Sequence, residues 1–202
     1  HVTSTVPIIL YSHISNSARS AATMVLPTKA LGNEYYTMAY NQMSSSLEYM
    51  VSQFTIVGVE DNTLTEITLP AGVNSISNAS HTAGSTYQIT LNKGDVYQFQ
   101  SNKDVTGVKI TTVGACKPLA VFSGSTKSGF CEQPGSVSGS GQDNLYQQLF
   151  PLSTWGKNYL TAPFYNALHG VKYVIRILVG KDNTTVTVNG STTSANGVAL
   201  AN

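Results

Sequence analysis

Hydrophobic and polar residues alternate in short runs along this chain, and almost no run repeats with the period of a helix. Alternation with a period of two is typical of β-strands, whose successive side chains point to opposite faces of a sheet. Gly, Asn and Pro separate the runs. The pattern therefore predicts an all-β fold, with helical structure only in brief turns such as one at 143–149. The predicted strands are 7–12, 23–26, 35–39, 54–59, 64–69, 86–91, 95–100, 108–112, 119–123, 160–163, 171–179 and 185–188.

Three blocks of sequence occur twice, in the same order. Tyr11 matches Phe122 in the first block, and Tyr35 matches Tyr159 in the second. The third block carries Asp-Asn-Thr in both copies, each time after an apolar run and before an alternating one. Three ordered matches are difficult to attribute to chance, and they predict an internal duplication. The matched ranges are 6–18 with 117–129, 24–40 with 148–164, and 53–69 with 173–188.

The duplication predicts two similar β-sandwich-like units packed into one compact module. The first unit covers residues 1–114 and the second covers 115–202. The second unit lacks a counterpart of the last two or three strands of the first. We expect either that further residues follow Asn202 in the natural protein or that the first unit covers the exposed edge, because an unpaired flat edge invites association.

The repeated Asp-Asn-Thr segments have two interpretations. Asp and Asn bond to nearby backbone amides and Asn accepts a positive φ, so each segment is typical of a tight hairpin turn. Alternatively, Glu60, Asp61 and Asp182 contribute to a calcium site. Neither segment has the closely spaced oxygen ligands of a calcium loop, so turn formation is favoured.

Composition and charge limit the partners. Charged residues make up 10% of the chain and the formal net charge is +1, against about 25% charged residues in an average domain. The chain has no basic cluster typical of nucleic-acid binding and no apolar stretch long enough for membrane insertion. Cys116 and Cys131 are either two free thiols or a disulfide, and the Ser-, Thr- and Asn-rich β character of an extracellular protein favours the disulfide.

Catalytic and metal-binding motifs are absent from the sequence. It contains no Gly-x-Ser-x-Gly and no His-Glu-x-x-His, and its four histidines are scattered. Ten acidic residues are present, but no pair of them stands out as a glycosidase pair. We therefore predict no catalytic residue, no metal and no cofactor.

One segment combines amides, an acid and aromatic rings, which are the groups that recognise sugars or peptides. The tryptophan aligns with Leu31 of the first copy, which favours a core role for that side chain over ligand contact. The candidate ligand-binding residues are Asp143, Asn144, Tyr146, Gln147, Gln148 and Trp155.

Several blocks together resemble the amino-terminal domain of the IgGFc-binding protein family, and the resemblance covers nearly the whole chain. They include PIILYSHISNSARSAATMVLPTKALGNEYYTMAY, FTIVGVEDNTLTEITLP, DNLYQQLFPLSTWGKNYLTAPF and VIRILVGKDNTTVTVNG. The residues in these blocks are similar to those of the bacterial branch, which includes secreted proteins of gliding Bacteroidetes. The resemblance implies a secreted or cell-surface, non-enzymatic β module within a much larger protein. It transfers no IgG-binding residue to this chain.

The function predicted is extracellular recognition or adhesion, with a glycan or glycoprotein as the partner and other domains of the parent protein as neighbours. The main alternative is a structural spacer that binds no free ligand. A glycan-active enzyme is a third interpretation, and it requires two acids that converge in a cleft.

Overall fold

The structure, a computed structural model, describes residues 2–16, 19–41, 50–128, 143–162, 175–188, 191–195 and 198–201. In these ranges the regular structure consists of β-strands and two short 3-10 turns, at Thr28–Ala30 and Leu152–Thr154. The predicted all-β class is confirmed. The strands are β1 Leu10–Asn16, β2 Arg19–Val25, β3 Glu34–Tyr36, β4 Ser52–Gly58, β5 Thr63–Thr68, β6 Thr86–Leu91, β7 Val96–Ser101, β8 Lys109–Thr112, β9 Leu119–Ser128, β10 Asp143–Gln148, β11 Ile175–Leu178, β12 Thr184–Val188, β13 Ser191–Ala195 and β14 Val198–Ala201.

The chain divides into two compact units, His1–Ser153 and Thr154–Asn202. This division differs from the predicted one at residue 114. The reason is that β9 pairs antiparallel with β4 along its first seven residues, from Leu119 to Ser125, so strands from both predicted copies share one sheet. The duplication itself stays a prediction. In the second unit β11 pairs with β14, and β12 pairs with β13.

Two four-stranded antiparallel sheets form the core of the first unit. Sheet I has the order β10-β9-β4-β7, and sheet II has the order β3-β8-β5-β6. Their facing sides contribute alternate residues to one hydrophobic cluster. Phe54 and Phe99 stack there with ring centroids 4.9 Å apart. Fully buried members include Tyr35, Ile56, Ile67, Ile110, Leu119 and Val121.

Strand β4 shows how the alternating pattern positions the functional face. Phe54 and Ile56 are fully buried against sheet II, whereas Gln53 and Thr55 are half-buried on the opposite face. Because successive side chains alternate, the apolar residues fix which amides and hydroxyls lie on the outer face of sheet I.

Strands β1 and β2 form a hairpin that contacts the edge of sheet I at β10. The backbone N–H of Gln148 donates to Thr23 Oγ1 at 2.9 Å, and the backbone N–H of Leu26 donates to Gln148 Oε1 at 2.7 Å. The Ser20 N–H donates to Asp143 Oδ1 at 2.5 Å. Side chains thus make the contacts that backbone groups make elsewhere in the sheet.

Three sequence predictions are corrected. The brief helical turn at 143–149 is wrong, because Asp143–Gln148 pairs with β9 as strand β10. Residues 160–162 form no strand, and residue 163 lies outside the described ranges. The first strand begins at Leu10 instead of residue 7, and it extends to Asn16 because the register with β2 continues to Arg19. Of the strand predicted at 171–179, the described part contains β11.

Both Asp-Asn-Thr segments form the same tight turn, but the predicted hairpin is wrong, because β4 and β5 lie in different sheets and so do β11 and β12. Asn62 and Asn183 have φ values of 53° and 58°. Thr63 Oγ1 donates to the Glu60 carbonyl at 2.7 Å, and Thr184 Oγ1 donates to the Lys181 carbonyl at 2.6 Å. In the first turn a lysine ammonium, that of Lys117, donates to the carbonyls of Asp61 and Asn62 at 2.6 and 3.1 Å.

Candidate functional site

A shallow groove lies on the outer face of sheet I, between the sheet and strand β1. Its volume is about 230 Å³, below the roughly 300–1,000 Å³ of a pocket that encloses a small molecule. Strands β4, β7, β9 and β10 form its floor and Ile14 of β1 forms part of its wall. The side chains that define it include Gln53, Gln98, Phe122, Asn144 and Tyr146.

Two aromatic rings stand side by side in the groove. Phe122 of β9 and Tyr146 of β10 stack with centroids 5.7 Å apart and planes 10° from parallel. The Tyr146 hydroxyl donates to Ser12 Oγ of β1 at 3.3 Å, which orients the ring. Both side chains are half-buried, so part of each ring remains available to a ligand.

Three glutamines form a ladder across β4 and β7 beside these rings. Gln53 Oε1 accepts from Gln98 Nε2 at 3.0 Å and from Gln100 Nε2 at 3.1 Å. The strand register aligns Gln53 with Gln100 and Thr55 with Gln98. The two donations fix the orientation of the Gln53 amide, so its NH2 group is the part directed away from β7.

Gly124 allows β10 to approach β9 closely at the groove. A Cβ at this position would stand 1.8 Å from the Leu145 carbonyl oxygen. The pairing of β10 with β9 shifts register between Asp143 and Leu145. This irregularity is a bulge, which locally redirects side chains, and Asn144 inside it lines the groove.

Ionised side chains lie at one end of the groove, and their charges have opposite signs. Asp143 Oδ1 accepts from the backbone N–H groups of Ser20 and Asn144, at 2.5 and 2.9 Å. Arg19 Nη1 donates to the carbonyl of Thr126 at 3.1 Å. No Asp, Glu, Lys, Arg or His side chain is among the described residues that line the groove.

The structure places only some of the predicted ligand-binding residues together in the groove. Asn144 and Tyr146 line the groove. Gln147 is exposed and donates to the Gln148 carbonyl at 2.9 Å, whereas Gln148 itself is buried and holds Leu26. Trp155 is half-buried in the second compact unit and is not among the lining residues.

The predicted disulfide gains no support from the structure. Cys116 is exposed and is a free cysteine here, and Cys131 lies outside the described residues. The bridge between them stays a prediction.

Sequence reasoning missed Gln53, Gln98, Phe122 and Ile14. The signal for the glutamines was present, since QFTIVG and VYQFQS place amides at alternate positions of apolar strands. What the sequence lacks is the strand order, because β4 and β10 reach one surface only through the intervening β9.

A second polar cluster closes the open side of the sandwich between β6 and β7. Tyr87 and Tyr97 share a hydroxyl contact of 2.9 Å, and His81 stacks on Tyr87 with centroids 3.7 Å apart. Burial raises the pKa of both phenols, to a greater extent for Tyr87, and burial lowers the pKa of His81. Both phenols therefore remain protonated at neutral pH.

Neither a metal centre nor a helical membrane span is found in the described ranges. No group of three or more His, Cys, Asp or Glu side chains there is positioned to hold a metal ion. No helix in these ranges is long and apolar enough to cross a membrane.

Comparison with known proteins places these features in a family. The human (Homo sapiens) IgGFc-binding protein is 28% identical over 177 residues, which is 87% of this chain but only 3% of the human protein. No solved structure matches the chain. The model of a family described as IgGFc binding protein matches residues 21–201. Since that match covers most of the chain, this chain belongs to the IgGFc-binding protein family.

Proposed function

We propose that this chain is an extracellular recognition or adhesion module that binds a glycan or a glycoprotein through the groove on sheet I. The observation that carries the proposal is the juxtaposition of the stacked Phe122 and Tyr146 rings with the Gln53 and Gln98 amides. Aromatic rings contact the apolar faces of sugars, and amides bond their hydroxyls. Secretion, location at the cell surface and the bacterial branch of the family are part of this proposal.

Different residues of the predicted site have different roles in this proposal. Asn144 and Tyr146 contact the ligand, Asp143 lies at one end of the groove, Gln147 lies outside it, and Gln148 positions β10 through its bond to Leu26. Glycoside hydrolysis needs two carboxyl groups about the scissile bond. The described lining contributes none, so we propose binding without catalysis.

The test is a binding screen of the purified protein against a glycan array that also carries mucin and IgG Fc. IgG Fc is included because the human relative is named for binding it. Tyr146→Ala is expected to weaken binding of any hit by about tenfold or more, since a ring at the centre of an interface contributes about 1–2 kcal/mol. Tyr36→Ala, on the outer face of sheet II, is the matched control and is expected to change nothing. The proposal is contradicted if the two variants weaken binding equally, or if the folded wild-type protein binds nothing on the array.

A second candidate function is a structural module within a long protein. The observation in its favour is the apolar surface of β1 and the two residues before it, where Ile8, Ile9 and Tyr11 are 58%, 67% and 55% exposed. Exposed apolar clusters often mark the surface that a neighbouring domain contacts. This alternative is supported if the protein binds no component of the array but does bind an adjacent fragment of the parent protein.

A further inference from the structure

We infer that the groove on sheet I selects uncharged sugars and recognises a pair of neighbouring hydroxyl groups, while it rejects sulfated and sialylated glycans. This inference rests on the proposed function, and it adds the chemical class of the ligand. It follows from the charges, the hydrogen-bonding groups and the shape of the groove.

The absence of net charge is the first argument. An anionic sugar must lose water when it binds, and a bound anion without a cationic partner is costly. The described lining residues contribute no basic side chain. Arg19 lies nearby but donates to Thr126, and Asp143 at the same end opposes its charge. An anionic group therefore gains no compensating ion pair in the groove.

The arrangement of hydrogen-bonding groups is the second argument. Gln53 Oε1 accepts two N–H groups, from Gln98 and Gln100. Within the described part of the chain, the Gln53 NH2 and the Gln98 Oε1 have no hydrogen-bond partner. The groove thus presents a donor beside an acceptor. A hydroxyl both donates and accepts, so two adjacent hydroxyls match this pair, whereas a sulfate or carboxylate only accepts.

The position of the rings completes the argument. The register places Thr55 beside Phe122, and Gln53 beside Gly124, which in turn pairs with Tyr146. Gly124 carries no side chain, and the Leu145 carbonyl stands where a Cβ would be, so backbone separates the Gln53 amide from the Tyr146 ring. A sugar ring that lies over this backbone has one face toward the aromatic pair and its hydroxyl edge toward the glutamines. The small volume suits the terminal residues of a longer glycan.

The experiment compares neutral oligosaccharides with their sulfated and sialylated forms on one array, using the wild-type protein and the variants Gln53→Ala, Tyr146→Ala and Gln88→Ala. We expect binding to neutral glycans only, little change over a tenfold range of salt, and about tenfold weaker binding for Gln53→Ala. Gln88→Ala is the matched control, because Gln88 is an exposed glutamine on sheet II bonded to Glu66. It is expected to bind as the wild type does.

The outcomes separate the inference from the proposed function. Salt-sensitive binding of sulfated or sialylated glycans that Gln53→Ala and Tyr146→Ala weaken overturns the inference and leaves the groove as the site. Binding only to a deglycosylated protein or peptide overturns the glycan class. Glycan binding that neither groove variant changes overturns both the inference and the groove as the site.

Discussion

The β1–β2 and β9–β10 hairpins have matched sequences and the same register as far as the shift at Asn144, but they differ in burial. Tyr11 pairs with Met24 in the first, and their counterparts Phe122 and Gln148 pair in the second. Yet Leu119 is fully buried, whereas its counterpart Ile8 is 58% exposed. Strand β9 has β4 on its second edge, while β1 pairs only with β2 in the described ranges. Register is therefore a local property of two strands, and burial depends on the third strand and the facing sheet.

The largest expected difference between the hairpins is at these apolar positions. Leu119→Ala is expected to lower the free energy of unfolding by about 2–5 kcal/mol, because the truncated side chain leaves a cavity in the core. Ile8→Ala is expected to cost less than about 0.5 kcal/mol, since an exposed side chain leaves none. Urea unfolding of the two variants measures both values. Similar losses of unfolding free energy in the two variants would mean that Ile8 is buried to the same extent as Leu119.

A smaller difference is expected where β9 has Gly124 and β1 has His13. Gly124→Ala places a methyl group against the Leu145 carbonyl, and the two strands must separate. We expect a loss of about 1–3 kcal/mol together with weaker binding at the groove. His13→Ala replaces a side chain that is already exposed and is expected to be nearly neutral.

Thermal unfolding and the glycan screen together check the Gly124 prediction. A Gly124→Ala protein with unchanged melting temperature and unchanged binding would show that β10 does not approach β9 as closely as the structure describes.

The second block of the repeat gives a third comparison, between Tyr35 and Tyr159. Each phenol oxygen accepts the N–H of a glycine three residues earlier, Gly32 at 2.9 Å and Gly156 at 2.7 Å. Tyr35 also donates to the Leu119 carbonyl at 2.7 Å and is fully buried, whereas Tyr159 is 71% exposed.

Replacing each tyrosine by phenylalanine tests that comparison. Tyr35→Phe is expected to cost about 1–2 kcal/mol, because a buried N–H and a buried carbonyl both lose a partner. Tyr159→Phe is expected to cost only a few tenths of that, since water replaces the hydroxyl. Denaturant titration measures the first value, and hydrogen exchange at the Gly156 amide follows the second. A greater effect at Tyr159 would reverse the assignment of buried and exposed copies.

These comparisons also explain how much of the structure the sequence reveals. Alternation and turn residues predicted the all-β class and both Asn turns, because these depend on neighbours in the chain. The helical turn at 143–149 was wrong because DNLYQQ lacks strong alternation and becomes a strand only beside β9. Tyr146 was predicted as a site residue, but Gln53 was not, since strand order brings them to one surface. Ile8 and Leu119 look alike in sequence, and only the tertiary fold separates them.

The smallest expected difference is between the turns at Asn62 and Asn183, where the two copies have the same backbone geometry. Both residues have positive φ, which costs a residue with a Cβ about 1–2 kcal/mol unless a short polar side chain bonds locally. Asn62→Ala and Asn183→Ala are therefore expected to destabilise their own turns by the same amount, about 1 kcal/mol, and Asn→Gly is expected to be neutral at both. Hydrogen exchange of the flanking amides in β5 and β12 measures each turn separately. A clear inequality would show that long-range contacts, such as those of the Lys117 ammonium with the Asp61 and Asn62 carbonyls, contribute to the stability of a turn beyond its local geometry.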